Sequence, residues 1–368
     1  MTDKIRNIFP GGNTPEGFFS YYTYILGQQE ANRILCLKGG PGVGKSTFMK
    51  KIGQHFAQKG EAVDFLWCSS DPDSLDGIVL RERKIAVIDA TSPHVVDPVN
   101  PGAVDNIVHL GEFWDGEALK KCKSCVMESN ARIKEWFSCA YGYLAAAGKV
   151  YDTLGFIYSC GIREGELYKH AAEIVRHEFC HKEITLETGR MKKQFASAIT
   201  PAGIRNHLES ILNGCERAYV IQCPVGLDSS RLLNIAAESA LYRGMDTEGY
   251  YCPMKPGKKL EHLLIPQIKT AFLTLNPYHD LELEGRKEDI KRIDMNDIIN
   301  WNQLEGKKFM VKDCERKMNE LLEQGISCIK EARKEHDLLE SYYIPNMDFK
   351  KIDALRDEII GKIEENVL

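Results

Sequence analysis

The chain has 368 residues, 43% of them hydrophobic and 27% charged, which is enough to bury a substantial core and points to two domains. Its net charge of −5 gives no electrostatic reason to expect nucleic acid or an anionic membrane as a partner. Clusters such as Lys120-Lys121-Cys122-Lys123 read as solvated helix faces.

The opening MTDKIRNIFPGGNTPEG lacks the apolar core of a signal peptide. The first strong signal is RILCLKGGPGVGKSTFMKKIGQHF. Ile34 to Leu37 predict a short apolar strand, and Phe48, Met49, Ile52 and Phe56 recur at helical spacing after the loop. Between them Gly39, Gly44, Lys45 and Ser46 satisfy G-x-x-x-x-G-K-[ST] in a strand–loop–helix setting. Glycines let backbone N–H groups turn inward around phosphate oxygens, and the helix adds its positive N-terminal end. The sequence therefore predicts a nucleoside triphosphate held by Gly39, Gly40, Pro41, Gly42, Val43, Gly44, Lys45, Ser46 and Thr47. Lys45 would reach the β- and γ-phosphates, and the Ser46 hydroxyl would ligate Mg²⁺.

The next strand, in VDFLWCSSDPDSLDG, ends near Cys68, Asp71, Asp73 and Asp76. These acids either face the nucleotide or an acceptor, or cap turns. KIAVIDATSPH follows, an apolar strand ending in Asp89, the candidate second Mg²⁺ ligand; His94 could sense the γ-phosphate or orient water. From Ala103 to about Glu183 the chain reads mainly helical. Its most apolar long stretch, Cys139 to Ile162, is interrupted by Lys149 and Asp152, so a membrane span is not expected. His177, Glu178 and His181 spell H-E-x-x-H, and Cys122 and Cys125 form C-x-x-C, but neither has the surroundings of a zinc site, and solvated helix residues are the expectation. The twelve cysteines are scattered rather than framing short loops, which predicts reduced thiols in the cytoplasm.

The second half repeats the first. Adding 184 maps Arg33 onto Arg217, Gly42 onto Gly226, Gly60 onto Gly244 and Cys68 onto Cys252. An offset of 186 aligns FPGGNTPEG from Phe9 with FASAITPAG from Phe195, and one of 185 pairs Ala86 with Ala271 and Asp152 with Asp337. The chain thus divides into 1–188 and 189–368, a tandem duplication in which each half has about four strand candidates and a long helical arm. The second copy has lost the working residues: Gly44 becomes Asp228, Lys45 becomes Ser229, Ser46 becomes Ser230 and Asp89 becomes Thr274. Removing a cation and adding an anion at a phosphate site makes the second loop a pseudo-site.

The pattern LKGGPGVGKST, CSSDPDSLDG, DATSPH and LGEFWD, with FASAITPAG opening the second copy, resembles an uncharacterised bacterial family of tandem-duplicated P-loop ATPases. The resemblance spans nearly the whole chain. It implies an α/β fold of two tandem P-loop NTPase-like three-layer domains with small, mainly parallel sheets, and ATP binding with hydrolysis. In that family the second copy commonly keeps a G-K-[ST] loop, from which CPVGLDSSR departs. No N-K-x-D guanine motif follows the first loop within its half, and Gly40 stands where a deviant Walker loop would carry an extra lysine. The reading is a Mg²⁺-dependent ATPase acting through Lys45, Asp89 and His94 with metal ligands Ser46 and Asp89. The alternatives are a small-molecule kinase and a nucleotide-dependent switch or scaffold without significant turnover; the helical arms could pack the halves together, close over the nucleotide or bind a protein partner.

Overall fold

Aliphatic runs form the central strands, at Arg33–Lys38, Ile85–Asp89, Leu260–Ile265 and Thr270–Leu275, and apolar residues spaced three and four apart form the helices. The computed structural model describes residues 4–92 and 96–367 and is mixed α/β. In chain order the first half carries β1 (Ile5–Ile8), β2 (Gly11–Thr14), β3 (Gly17–Ser20), β4 (Arg33–Lys38), α1 (Lys45–Gln58), β5 (Val63–Trp67), β6 (Leu75–Leu80), β7 (Ile85–Asp89) and β8 (Asp105–His109). Three helices follow, α2 (Gly116–Lys121), α3 (Lys123–Ser159) and α4 (Glu164–Phe179). The second half has β9 (Met191–Gln194), β10 (Ser197–Thr200), β11 (Gly203–Asn206), α5 (Leu208–Leu212), β12 (Arg217–Gln222), α6 (Ser230–Leu241) and β13 (Thr247–Tyr251). It ends with β14 (Leu260–Ile265), β15 (Thr270–Leu275), β16 (Asp289–Asp294), α7 (Lys308–Tyr343) and α8 (Phe349–Glu364).

The first sheet has the order β1-β5-β6-β7-β4-β8, and the second, read from its other edge, β9-β13-β14-β15-β12-β16. Term by term these are the same order. The repeat extends to an irregularity: the register shift at Leu66/Trp67 between β5 and β6 recurs at Tyr250/Tyr251 between β13 and β14. Each sheet has six strands rather than four, and it is mixed: five strands run parallel, while β6 and β14 run antiparallel to both neighbours. The strands missed are partly the edges. β1 (IRNI) and β8 (DNIVH) interleave polar residues, which dilutes the apolar run that marks a buried strand. β8 and β16 also fall where, or just before, the sequence reads as helical arm.

The two halves meet through a third sheet, β11-β10-β2-β3, built from one hairpin of each. Thr14 and Thr200 fix matching turns, each donating its hydroxyl to the carbonyl three residues on at 2.7 Å, with Gly17 and Gly203 at φ +97° and +98°. Phe9 and Phe195 exchange both backbone hydrogen bonds, 3.1 and 3.0 Å. They are equivalent residues, so the pair lies on the pseudo-two-fold axis. Beside it is an ionic quartet, largely buried except at Lys192, whose members are also equivalent in pairs, with Arg81 adding a contact of 3.1 Å to Asp64. Arg6 forks onto Asp64 with two bonds of 2.8 Å and reaches Glu248 at 2.6 Å, while Lys192 stands 3.9 Å from Asp64.

The helical arms cross over. The helices α3 and α7 pack antiparallel: Arg132 near the start of one bonds Glu335 near the end of the other at 2.9 Å, and Leu144 lies against Gly325 mid-way. At 1.5 Å per residue each spans about 55 Å. Each arm then closes the core of the opposite half. Ile352, Ile359 and Ile363 of α8 bury against Phe48, Met49, Ile52 and Phe56 of α1, and Leu167, Ala171 and Ile174 of α4 bury against Leu232, Leu233 and Ala236 of α6. The exchange is symmetric at its hinges, where Trp114 bridges to Met347 and the equivalent Ile299 to Ile162. Local chemistry pins α8: Asp348 caps its N-terminus and Arg83 binds the Ile363 carbonyl at its end, 2.7 Å away. Among the described residues no helix is long and apolar enough to cross a membrane, and all twelve cysteines are free thiols.

Candidate functional site

The loop joining β4 to α1 is shaped by its glycines. Gly42 (φ +68°) and Gly44 (φ +87°) occupy the left-handed region, and a Cβ on Gly39 would come within 2.8 Å of Val43 Cγ2. Val43 is buried and anchors the loop, so the backbone curves around Lys45. The Lys45 ammonium lies inside that curve, donating to the carbonyls of Gly39 at 3.1 Å and Gly40 at 2.8 Å, with Asp89 Oδ2 at 3.6 Å. Asp89 ends β7, beside β4, and its Oδ1 accepts from the Thr91 amide at 2.9 Å. Lys45 and Asp89 are thus brought together at the carboxyl edge of adjacent strands. Ser46 follows Lys45 in the first turn of α1, its Oγ accepting from the Leu75 amide at 2.9 Å. A hydroxyl and a carboxylate flanking the loop are the oxygen donors that suit Mg²⁺, so the residues present fit that ion. Pro41 sits at the loop's tip and Thr47 is exposed in the first turn of α1. His94 lies outside the described residues.

Of the acids after β5, Asp71 holds Ser74 Oγ and pairs with Arg333 at 2.5 Å. Asp73 receives Lys50 of α1 at its carbonyl, and Asp76 belongs to β6 and is buried. Burial, then the Asp76 carboxylate, push the Cys68 thiol well above its ordinary value, so it is not a thiolate nucleophile. The H-E-x-x-H residues are not solvated together. The helix α4 ends at Phe179, before His181, and Glu178 is buried, accepting from Tyr219 and Arg217 at 2.7 Å each. Its role is to fasten α4 onto β12.

The loop is covered by the arm of the other half, one of the arrangements the sequence left open without naming the residues. Tyr343 lies against Gly40, the Glu340 carbonyl and Ile344 against Gly42, and Phe349 against Gly44. These residues are about 300 positions from the loop, and only their helical spacing marks them as one face.

The equivalent loop in the second half is closed on itself. Ser229 Oγ meets Thr274 Oγ1 at 3.0 Å where Lys45 faces Asp89 in the first half. Asp228 Oδ1 accepts from the Ser230 amide at 2.9 Å, taking a helix N-terminal donor that a phosphate would use. A buried lysine from another position, Lys259, donates to the Leu227 carbonyl at 3.1 Å and to Tyr151 at 2.8 Å. Its neighbours Glu261, His262 and His279 have the residue types of a metal site. However, Nδ1 of His262 accepts from the Thr274 amide at 3.1 Å, and Nδ1 of His279 faces the amide nitrogen of Asn276 at 3.3 Å. Tyr278 fixes that amide's orientation by donating to its oxygen. Both rings therefore carry the proton on Nε2, and a metal would need those nitrogens bare. A cavity of about 540 Å³ lies elsewhere, between β1 and α5, lined by Asn7, His207, Ser210 and Asp280 without any lysine or arginine.

No family model, curated protein or solved structure matches the chain significantly.

Proposed function

We propose that this chain is a tandem P-loop NTPase-like protein whose first half binds ATP with Mg²⁺ and hydrolyses it, and whose second half is a pseudo-site. One observation carries the reading: at equivalent positions of two equivalent loops, the first has Lys45 facing Asp89 and the second has a Ser229–Thr274 hydroxyl pair. The cation and the glycine-lined curve are what a triphosphate requires, and only one loop keeps both.

In the proposed reaction water attacks the γ-phosphorus, the bond to the β,γ-bridging oxygen breaks, and ADP, phosphate and a proton leave. The loop amides and Lys45 would hold the phosphates in line and offset the charge that spreads over the γ-oxygens, and Ser46 and Asp89 would hold Mg²⁺. The metal's contribution when bound is to neutralise β- and γ-oxygens. The switch reading is favoured by one feature, the packing of Glu340, Tyr343 and Ile344 directly on the loop, which ties nucleotide occupancy to the second half.

The test is phosphate release from ATP and Mg²⁺ by the full chain beside Lys45→Ala. Removing one charge-assisted contact of about 1.5–3 kcal/mol lowers ATP affinity at least tenfold. Turnover lost in the variant supports hydrolysis, binding without turnover supports the switch, and turnover that needs an added metabolite supports a kinase. Unchanged ATP binding without Lys45 would sink the nucleotide-site reading.

A further inference from the structure

We propose that Arg333, carried by α7 from the second half, is the cation that meets the γ-phosphate of a triphosphate in the first-half loop. The inference rests on the nucleotide-site reading above. Arg333, His336, Asp337, Glu340 and Tyr343 recur at intervals of three and four, so they share one face of α7, which Ile344, the residue capping its end, continues. The far end of that face lies on the loop, where a Cβ on Gly42 would stand 3.2 Å from the Glu340 carbonyl and 3.0 Å from Ile344. Arg333 is two turns, about 10 Å, further back along the same face.

Its guanidinium is joined to the magnesium-side hydroxyl by a short chain of contacts. Nη1 pairs with Asp71 Oδ2 at 2.5 Å and Nε with Asp337 at 3.0 Å. Asp71 holds the Ser74 hydroxyl, and the next residue, Leu75, donates its amide to Ser46 Oγ at 2.9 Å. The arginine is therefore kept beside the site by carboxylates rather than lost to solvent. A phosphate oxygen can take the place of Asp71, since the planar guanidinium accepts either anion with the same fork.

The duplication gives independent support. The position equivalent to Arg333 is Gly148, and that equivalent to Asp71 is Lys255, which pairs instead with Asp152, the counterpart of Asp337. The loop that lacks Lys45's counterpart thus also lacks Arg333's. The tie between this loop and the long helix persists in the second half as Lys255–Asp152, so what that half has lost, together with the loop's lysine, is the arginine itself.

The experiment compares equilibrium binding of ATP and ADP to the full chain with Arg333→Gln, Arg333→Lys, Asp71→Asn and Lys45→Ala. Arg333→Gln is expected to weaken ATP about tenfold or more while leaving ADP unchanged, because one charge-assisted contact to the γ-phosphate is removed. Arg333→Lys should fall between. A role confined to fixing α7 would weaken ATP and ADP alike, and that result, or both affinities staying at the wild-type value, overturns the proposal. Should Arg333→Gln not fold, Asp71→Asn reads the same contact from the other side: freeing the guanidinium should raise the preference for ATP over ADP, and an unchanged or reduced preference overturns the proposal. Lys45→Ala separates the two levels, since ATP binding that survives it removes the nucleotide-site reading itself.

Discussion

At the scale of single residues, the ionic quartet beside the pseudo-two-fold axis is the most consequential arrangement outside the site. Burial, the largest single influence, pushes the Asp64 and Glu248 carboxyls up, yet Arg6 and Lys192 together, with Arg81 beside Asp64, hold both below their ordinary values of 3.8 and 4.5. Carboxyls lowered in the folded state contribute stability that is complete above those ordinary values and is lost as pH falls through the folded ones. Acid unfolding should therefore begin below about pH 4.5, and Asp64→Asn should reduce its steepness. The same substitution leaves Arg6 short of a buried partner and should cost roughly 3–5 kcal/mol at neutral pH, read as a lower urea midpoint. An unchanged midpoint would mean the quartet is solvated. None of this was legible in sequence, because Arg6, Asp64, Lys192 and Glu248 sit on four strands with no motif linking them. The loop was legible because its chemistry is local: Gly39 to Ser46 are consecutive, and their spacing is the mechanism.

At the scale of elements, strand and helix signals were readable where one pattern ran unbroken. The strand around Ile34–Leu37, the helix carrying Phe48, Met49, Ile52 and Phe56, and the strand ending at Asp89 all lie where their periodicity puts them. The crossing of the arms was not readable, since α8 would show the same apolar face whether it packed on its own half or on the other. That crossing has a measurable consequence. Ile363 is fully buried in the core that covers α1. Ile363→Ala should cost about 2–5 kcal/mol through the cavity it leaves. Amide exchange should speed up in α1, more than 300 residues upstream, and leave α6 at wild-type protection. Loss of protection in α6 instead would contradict the exchange of arms.

At the scale of the whole molecule, the matching strand orders, the matching register shifts and the paired hinge bridges describe two copies of one unit related by a pseudo-two-fold axis. The duplication itself was visible as nearly constant offsets in the sequence; what it could not convey is that neither copy completes its own core. Residues 1–188 expressed alone lack α8, so the core around α1 loses Ile352, Ile359 and Ile363. The expected outcome is no stable monomer from either piece, and recovery of a one-to-one complex when 1–188 and 189–368 are made together, seen by size-exclusion chromatography. A well-folded monomeric half would show that the arms are dispensable.

The crossed arms also bear on how the two loops came to differ. In an assembly of identical subunits any substitution appears at every site at once, so replacing the loop's lysine would alter them all. Covalent linkage across the axis lets each position be edited separately: one loop can be rewritten as packing while its twin keeps its charge. Because each copy is wrapped by the other's helices, the rewritten half still cannot be deleted.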